Sequence, residues 1–284
     1  MKNTMRLLSL LIITLISSFY AAASEKTDVR LYRLDCGTMH IGDMSLMADN
    51  GDYKGRSIDI VISCYLIKHN NKWLLWDTGF PATYKEKKDG VKIGKLVMKL
   101  DKTIPEQLKM LNLTVNDIDF VALSHSHFDH AGQSNSFPNS TLFIQKKEYQ
   151  AVTDKEEALK HFIDPQWLSY HLTHKNKLKL IDGDYDFFND GTVKFIYLPG
   201  HTPGHMAMEL NLKKNGPLII SGDQWHFEEN RMRNEVPSFN YDHQQTIESS
   251  KKLESIIKRD HAELIIEHDI NDNKKLPKLK NYLD

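Results

Sequence analysis

The chain contains 284 residues, of which 40% are hydrophobic, 26% are charged and 10% are aromatic. This composition is typical of a folded globular protein and excludes disordered, collagen-like and multi-span membrane proteins. The 37 Lys and Arg residues nearly balance the 38 Asp and Glu residues, giving a formal net charge of −1. Such a balance predicts no nucleic-acid partner and no attraction to anionic membranes. The 14 histidines are the unusual feature of the composition.

The first 23 residues predict a secretory signal peptide. Lys2 and Arg6 form a basic start, residues 7–16 are an apolar stretch, and the small residues 21–23 provide a cleavage site. The apolar stretch is shorter than the roughly 20 residues that a transmembrane helix needs. We therefore expect a secreted, periplasmic protein with no membrane anchor after cleavage, in which residues 24–284 form one domain.

Two cysteines, Cys36 and Cys64, lie in apolar, strand-like surroundings. A single disulfide is compatible with export, because exported proteins fold in oxidising compartments. Free cysteine, however, is among the most buried residue types, and we favour two buried free thiols over a disulfide. In either state the protein must depend on a hydrophobic core rather than on a framework of disulfides.

Short apolar runs rich in β-branched and aromatic residues alternate with polar segments that are compatible with helices. The predicted strands are residues 29–34, 58–67, 73–76, 118–123, 142–144, 193–198, 218–220 and 264–266, of which the second and third form a hairpin. Helices are predicted near residues 105–111, within residues 148–174, and from the N-cap Asp242 to about residue 258. This alternation predicts a single α/β domain.

The most distinctive motif, HSHFDH at residues 125–130, directly follows the strand predicted at residues 118–123. A lone histidine is usually an ordinary core or surface residue. Four potential ligands on one turn, namely His125, His127, Asp129 and His130, are instead typical of a metal site. Zinc and similar divalent ions bind imidazole nitrogen and carboxylate oxygen at about 2.0–2.2 Å, and a non-helical turn can aim these side chains at such ions.

Three further potential ligands also come directly after predicted strands. His201 follows residues 193–198 within PGHTPGH, Asp223 follows a strand through Ser221 and Gly222, and His268 follows residues 264–266. Sites in α/β proteins are commonly built just beyond the carboxyl ends of strands. Each residue alone is a weak signal, but together with HSHFDH they predict one metal centre.

These motifs resemble the ligand signature of the metallo-β-lactamase superfamily, and WDTG at residues 76–79 resembles the turn that opens that signature. The resemblance covers nearly the whole chain after residue 23 and implies a four-layer αββα sandwich with a dinuclear metal site at one edge. It also implies a hydroxide that bridges the metals, and a supporting position for Asp77 beside the ligands. The family pattern assigns His125, His127 and His201 to one metal, Asp129, His130 and His268 to the other, and Asp223 to both.

The implied cofactors are two divalent ions. The ligand types favour Zn²⁺, although they also accommodate iron, cobalt or manganese. Two such ions make a nucleophile from a shared water and polarise a carbonyl, which suits the hydrolysis of esters, lactones, amides and phosphoesters. The resemblance also implies that Asp129 carries a proton to the leaving alkoxide.

Within the superfamily, the flanking sequence resembles the N-acyl homoserine lactonases, which open the lactone ring of bacterial signalling molecules and so silence quorum sensing. The resemblance lies in LYRLDCGTMHIGDMSLM, SCYLIKH and LLWDTG near the start, and in VPSFNYD and IIEHD near the end. Met44, Leu46 and Met47 are predicted either to line a groove for the acyl chain or to pack in the core.

At one position the sequence differs from the well-known members of that family. Its well-known members carry a tyrosine three residues after the bridging aspartate, where it contacts the substrate carbonyl, whereas this chain has His226. Since an imidazole can also donate a hydrogen bond to an oxyanion, we assign His226 a catalytic role. Trp225 and Tyr241 are further candidates for substrate contact, and His205 in PGHTPGH is expected to be structural.

We therefore predict a secreted dinuclear hydrolase that opens N-acyl homoserine lactones, with a small lactone or ester as its substrate. One alternative is another hydrolase on the same scaffold: an esterase, a phosphotriesterase or a β-lactamase. Asp223 argues against a β-lactamase, because the members that hydrolyse lactams generally lack a bridging carboxylate. The other alternative is a metal-binding protein without catalytic activity.

Overall fold

Two β-sheets form the centre of the protein. The computed structural model describes residues 27–284, so the signal peptide predicted for residues 1–23 lies outside the described residues. Within residues 27–284, no helix combines the length and the apolar character that crossing a membrane requires.

The first sheet has eight strands in the order β4-β5-β1-β2-β3-β6-β7-β8. Their bounds are Val29–Ile41 (β1), Ile58–His69 (β2), Lys72–Trp76 (β3), Val91–Ile93 (β4), Leu96–Lys99 (β5), Phe120–Ala122 (β6), Thr141–Gln145 (β7) and Leu178–Ile181 (β8). Strands β3, β6, β7 and β8 are parallel, so their carboxyl ends meet at one edge of the sheet.

The second sheet has five strands in the order β13-β12-β11-β10-β9. Their bounds are Tyr185–Asp186 (β9), Val193–Tyr197 (β10), Met206–Leu212 (β11), Gly216–Ile220 (β12) and Glu263–Ile265 (β13). Strands β10 and β12 are both antiparallel to β11, and β13 is parallel to β12. Strands β10, β12 and β13 therefore run in the same direction, and their carboxyl ends lie at one edge.

In the part of the chain that the structure describes, eight α-helices surround the sheets. Their bounds are Ile104–Met110 (α1), Phe128–Ala131 (α2), Lys146–Thr153 (α3), Lys155–Lys160 (α4), Ser169–Thr173 (α5), Glu228–Arg233 (α6), His243–Asp260 (α7) and Ile270–Lys275 (α8). The predicted N-cap of the longest helix is confirmed, because the Asp242 carboxylate accepts a hydrogen bond from the Gln245 N–H.

Alternating side chains of the strands pack the two sheets face to face. In β12, Leu218 and Ile220 point into the core between the sheets, whereas Ile219 points to the opposite side. Trp76 of β3 meets Phe195 of β10 across this core, with ring centroids 5.1 Å apart. The alternation follows from the two-residue period of a strand.

Helices cover the outer face of each sheet. Ile104 and Leu108 of α1 pack on the outer face of the first sheet, and Leu253 and Ile256 of α7 pack on the outer face of the second. The layers are thus helix, sheet, sheet and helix, which confirms the αββα sandwich.

Most predicted elements are present, but several short strands were not predicted. The predicted hairpin is β2–β3, with Asn70 in the left-handed region at its turn. The missed strands are short or contain residues with low strand propensity, as in MAMELNL of β11. The helical segment predicted within residues 148–174 is divided, because Asp154 caps the start of a separate helix α4 and Pro165 precedes α5.

Cys36 and Cys64 form a disulfide, so the expectation of two free thiols is wrong. Cys36 lies in β1, at a shift in register between Asp35 and Gly37, and Cys64 lies in the neighbouring strand β2. Their Cα atoms are 5.9 Å apart, which is within the usual range for a disulfide. The sequence could not reveal the pair because the bond depends on the register of two strands, which the apolar pattern does not define at a bulge.

Candidate metal centre

The predicted ligands and the supporting residue Asp77 converge because five strands end at the same edge of the sandwich. Asp77 follows β3 and His125 follows β6 in the first sheet, while His201, Asp223 and His268 follow β10, β12 and β13 in the second. Each strand is mostly apolar and partly or fully buried, and each is succeeded by a polar turn. The face-to-face packing of the sheets therefore brings ligands from both halves of the chain together.

The first group of ligands consists of His125, His127, His201 and Asp223, all of them buried. His125 Nε2 lies 3.0 Å from His127 Nδ1, and His201 Nε2 lies 3.1 Å from each of these atoms. Tetrahedral coordination with bonds of about 2.0–2.1 Å places its donor atoms roughly 3.3 Å apart. The nitrogen triangle thus has the dimensions of one face of a zinc coordination sphere.

The second group consists of Asp129, His130 and His268. The Nε2 atoms of His130 and His268 are 3.2 Å apart, and Asp129 Oδ2 lies 3.8 and 3.7 Å from them. This spacing is wider than in the first group but still allows all three atoms to face one ion.

Asp223 lies between the two groups and presents one oxygen to each. Its Oδ2 atom is 3.4 Å from His201 Nε2 and 3.8 Å from His125 Nε2. Its Oδ1 atom is 3.1 Å from His130 Nε2 and 3.0 Å from His268 Nε2. The carboxylate is therefore positioned as the bridge that the family pattern implies.

Each ligand histidine is held by a hydrogen bond at the ring nitrogen that faces away from the centre. The acceptors are His161 O for His127 (2.9 Å), Val61 O for His268 (2.8 Å), Asp77 Oδ2 for His130 (2.8 Å) and Asn240 Oδ1 for His201 (2.9 Å). The corresponding nitrogen of His125 lies 3.0 Å from Ser124 Oγ. A neutral imidazole has one ring proton, so these bonds leave lone pairs on the inner nitrogens. Converging lone pairs fit divalent cations.

Burial controls the pKa of the imidazoles in the first group. It holds the pKa values of His125 and His201 well below their ordinary value and also lowers the pKa of His127. These three side chains are therefore neutral near pH 7 and available to bind an ion.

Carboxylates control the pKa values in the second group. Burial disfavours a charged His130, but Asp223, Asp129 and Asp77 raise its pKa well above the ordinary value. Asp223 likewise raises the pKa of His268 against the effect of burial. Burial alone would raise the pKa of Asp223, but His130 and His268 hold it well below its usual range. In this group a proton and a metal ion compete for the same nitrogens.

Asp77 has the supporting position that the resemblance implied. It is fully buried, and its carboxylate accepts hydrogen bonds from Ser124 N and Ser124 Oγ, each at 2.7 Å, and from His130 Nδ1. It therefore fixes both the turn that begins HSHFDH and the ring orientation of His130.

His205 has a structural role, as expected, but one directed at the centre. Burial lowers the pKa of His205 to about 4, which keeps the ring neutral. Its Nδ1 atom donates to Leu198 O at 3.0 Å, and its Nε2 atom accepts the backbone N–H of Asp223 at 2.8 Å. The ring thus holds the backbone that carries the bridging carboxylate.

Two buried acids near the centre were missed by sequence analysis. Glu148 of α3 accepts hydrogen bonds from Ser126 N, Thr202 Oγ and Gly204 N at 2.7–2.9 Å, and so ties HSHFDH to PGHTPGH. Glu267 lies beside Asp77, and burial, followed by that neighbouring carboxylate, raises the pKa of Glu267 well above its ordinary value. Glu148 belongs to no quoted motif, and Glu267 lies in IIEHD, where the neighbouring His268 was the residue that the pattern marked.

A cavity of about 730 Å³ borders the ligands. Its base includes His127, Asp129, Asp223, His226 and His268. Its apolar walls are formed by Met39, Ile41, Leu46, Met47, Ile60, Ile93, Leu96, Phe128, Ala158, Leu159, Phe162, Ile163, Pro165 and Phe239. Four of these side chains, Leu46, Ile93, Leu159 and Phe162, are between 57% and 84% exposed. Grouped, exposed apolar side chains are typical of a ligand-binding groove.

The residues predicted to contact substrate are only partly at this cavity. Leu46 and Met47 line it, but Met44 does not, because its side chain is fully buried in the core on the first sheet. Trp225 also faces away, and it packs with Leu253 of α7 in the core on the second sheet. Met44 thus follows the alternative of core packing, and Trp225 lies away from this cavity. Tyr241 contacts His161 and does not line the cavity.

His226 does line the cavity, for a reason that also explains Trp225. The backbone at Trp225 is extended, and neighbouring side chains on extended backbone point in opposite directions. His226 Nε2 lies 3.2 Å from Asp223 Oδ2, and its buried Nδ1 atom has no hydrogen-bond partner among the described residues. The ring is thus both a part of the cavity lining and short of one hydrogen-bond partner among the described residues.

Comparison with known proteins agrees with this geometry. A family model described as the metallo-beta-lactamase superfamily matches residues 58–268. An N-acyl homoserine lactonase from Bacillus sp. is 30% identical over 236 residues, covering 81% of this chain and 89% of the relative. The N-acyl homoserine lactonase AttM from Azorhizobium caulinodans is 28% identical over 268 residues, covering 91% and 100%.

The fold is also similar to that of a solved N-acyl homoserine lactone hydrolase that has the product N-hexanoyl-L-homoserine bound at its catalytic metal centre. The two structures share a TM-score of 0.76 at 26% identity, over 89% of this chain and 98% of the other.

We expect the second group of ligands to release its ion at a higher pH than the first group as the solution is acidified. Protons compete for His130 and His268 earlier, because their pKa values are raised, whereas His125 and His201 resist protonation. Dialysis at decreasing pH with elemental analysis should give a plateau at one bound ion per chain. Simultaneous loss of both ions would contradict this expectation.

Proposed function

Because this chain belongs to the metallo-beta-lactamase superfamily, we propose that it is a metal-dependent hydrolase that opens the lactone ring of N-acyl homoserine lactones. The observation that carries the proposal is the pair of ligand groups, joined by Asp223, at the base of an apolar cavity. The N-acyl homoserine lactonases that are 28% and 30% identical to this chain support the choice of substrate.

The donor set fits two divalent ions, and we propose Zn²⁺ because imidazole nitrogen and carboxylate oxygen are its usual non-sulfur ligands. When bound, two such ions supply a hydroxide from a shared water and polarise the lactone carbonyl. His125, His127 and His201 would hold one ion, Asp129, His130 and His268 the other, and Asp223 would contribute one oxygen to each.

We assign the proton transfer to Asp129. Its carboxylate lines the cavity and keeps 10% of its side-chain surface exposed. Opening the ring breaks the bond between the carbonyl carbon and the ring oxygen, and the departing alkoxide must gain a proton. An Asp129 oxygen can receive the proton that the attacking water loses and pass it to that alkoxide, so that one water is consumed and a hydroxy acid is formed.

His226 is placed to hold the substrate carbonyl. It is buried at the base of the cavity, beside the bridging carboxylate, and its Nδ1 atom lacks a partner among residues 27–284. A hydrogen bond from this ring to the carbonyl oxygen would strengthen as negative charge develops there. His226 would thus take the role that the tyrosine has in the related lactonases.

The cavity walls match the acyl part of the proposed substrate. A saturated acyl chain offers no hydrogen bonds, and each methylene removed from water contributes about 0.8 kcal/mol. The exposed side chains of Leu159 and Phe162 extend the apolar surface beyond the enclosed part of the cavity. Because the apolar surface continues beyond the enclosed part of the cavity, it favours substrates with long acyl chains.

We also propose that the protein acts in an oxidising compartment, the periplasm. The Cys36–Cys64 disulfide supports this location, because structural disulfides are rare in reducing compartments. The signal peptide predicted for residues 1–23 provides the route of export.

The proposed activity is tested with a panel of substrates and with chelation. Hydrolysis should disappear when a chelator removes the ions and return with Zn²⁺, and kcat/KM should be highest for N-acyl homoserine lactones. The panel includes butanoyl and dodecanoyl homoserine lactones, a simple aryl ester, a phosphotriester and a cephalosporin. Lactones that rank among the poorest substrates would disprove the substrate assignment. Bound metal without turnover of any compound would favour the non-catalytic alternative.

The substitution His226→Ala should lower kcat by about a hundredfold, the usual cost of losing one donor to an oxyanion. Elemental analysis should still find two ions per chain, because His226 is outside both ligand groups. The variant His226→Gln serves as the control, since its amide can donate a hydrogen bond and should retain more activity. Full activity in His226→Ala would remove this residue from the reaction.

The substitution Ala158→Leu should reduce kcat/KM for the dodecanoyl lactone by at least about tenfold, because the larger side chain occupies space that methylenes would fill. The butanoyl lactone should be affected much less. Met232→Ala is the matched control, because Met232 is an exposed apolar residue away from the cavity. Equal losses for both lactones would show that Ala158 does not border the acyl chain.

A further inference from the structure

The disulfide between Cys36 and Cys64 lies beneath the turn that supports the metal centre. Both cysteines are fully buried, and the bond connects β1 and β2 at the position where their register shifts. A strand pair is less regular at such a shift, since one residue is left out of the ladder. The covalent bond holds the two strands together there.

The turn formed by residues 77–81 packs directly on the disulfide. A Cβ atom placed on Gly79 would lie 2.4 Å from Cys36 Cβ, 2.9 Å from Cys36 Sγ and 3.1 Å from Cys64 Sγ. Only a residue without a side chain fits this approach, and Gly79 also has a left-handed backbone with φ of +60°. The sulfur atoms are therefore the surface on which the turn lies.

The opposite side of the same turn holds the segment that carries Asp129 and His130. Thr78 donates hydrogen bonds from its backbone N and from Oγ to His130 O, at 2.6 and 3.0 Å. Gly132 N donates to Gly79 O at 2.9 Å, and a Cβ atom on Gly132 would lie 2.3 Å from Pro81 N. The sulfur atoms thus contact the turn, and the turn contacts the segment that carries Asp129 and His130.

The first group of ligands has other supports. His127 and His201 are held by His161 O and Asn240 Oδ1, and Glu148 joins their two loops. None of these contacts involves Thr78 or Gly79. Asp77, at the start of the turn, also reaches the first group, because it binds Ser124 and Ser124 Oγ lies beside His125 Nδ1. A displacement at Thr78 and Gly79 therefore acts directly on the second group, through His130 and Gly132, and reaches the first group only through Asp77 and Ser124.

We propose that the Cys36–Cys64 disulfide is a positioning element for the second metal ion. By holding the turn in place, it fixes Asp129 and His130, and a chain without the bond retains the first ion but binds the second weakly. This inference rests on the metal centre of the proposed function and is independent of the substrate. Because both sulfur atoms are fully buried, the bond acts as a permanent support formed during folding.

The test is a metal titration of the chelator-treated protein, with Zn²⁺ and with Co²⁺, in wild type and in the double variant Cys36→Ala/Cys64→Ala. Wild type should bind two equivalents. In the variant the affinity for one equivalent should fall at least tenfold, while the other stays within about threefold of wild type. The Co²⁺ spectrum of the variant at one equivalent should match that of His268→Ala, in which only the first group is complete.

A matched control separates positioning from general stability. Leu253→Ala removes core volume between the second sheet and α7, away from the turn, and its loss of stability is compared with that of the double variant by denaturant titration. Leu253→Ala should bind both ions with wild-type affinity. An equal loss of metal affinity in the control would overturn the proposal, because the effect would then follow stability alone.

Two further samples keep the test decisive if the double variant folds poorly. Cys36→Ala/Cys64→Val refills part of the lost volume, and the wild-type chain refolded with a phosphine reductant retains every side chain. Both should lose the second equivalent selectively. Two equivalents bound with unchanged affinity would disprove the positioning role alone, whereas a wild-type protein that binds no ion would disprove the metal centre itself.

Discussion

The structure depends on the convergence of five imidazole lone pairs at one edge of the sandwich. Each ring is fixed by a hydrogen bond at its outer nitrogen, and the inner nitrogens approach one another to 3.0–3.2 Å. Nitrogen atoms in such an arrangement repel one another unless a cation lies among them. The strands, turns and buried acids around the centre therefore support an arrangement that bound cations make favourable.

The charge of the surroundings is matched to this requirement. Asp223 remains ionised despite its burial, because the histidines of the second group hold its pKa down. Glu267 has the opposite behaviour, since burial and the neighbouring Asp77 keep its pKa high. The centre thus has negative charge where it faces the ions and a neutral acid behind them, which limits the cost of burying carboxylates.

The features that the sequence predicted are those encoded by neighbouring residues. HSHFDH is local, and the other ligands each follow an apolar strand by a few residues, so their types and approximate place could be inferred. The disulfide, Glu148 and the direction of Trp225 depend on strand register, on contacts between distant loops and on one extended residue. Apolar periodicity does not contain that information.

The ligands are also far apart along the chain, from His125 in the turn after β6 to His268 in the turn after β13. An intermediate that has formed only the first sheet contains HSHFDH but lacks His201, Asp223 and His268. Such a species can offer an ion only an incomplete coordination sphere, so strong capture must wait until the second sheet docks. Ions bound between the two sheets would then stabilise the protein only at a late step of folding, after the sheets have docked. They would also slow the separation of the sheets during unfolding.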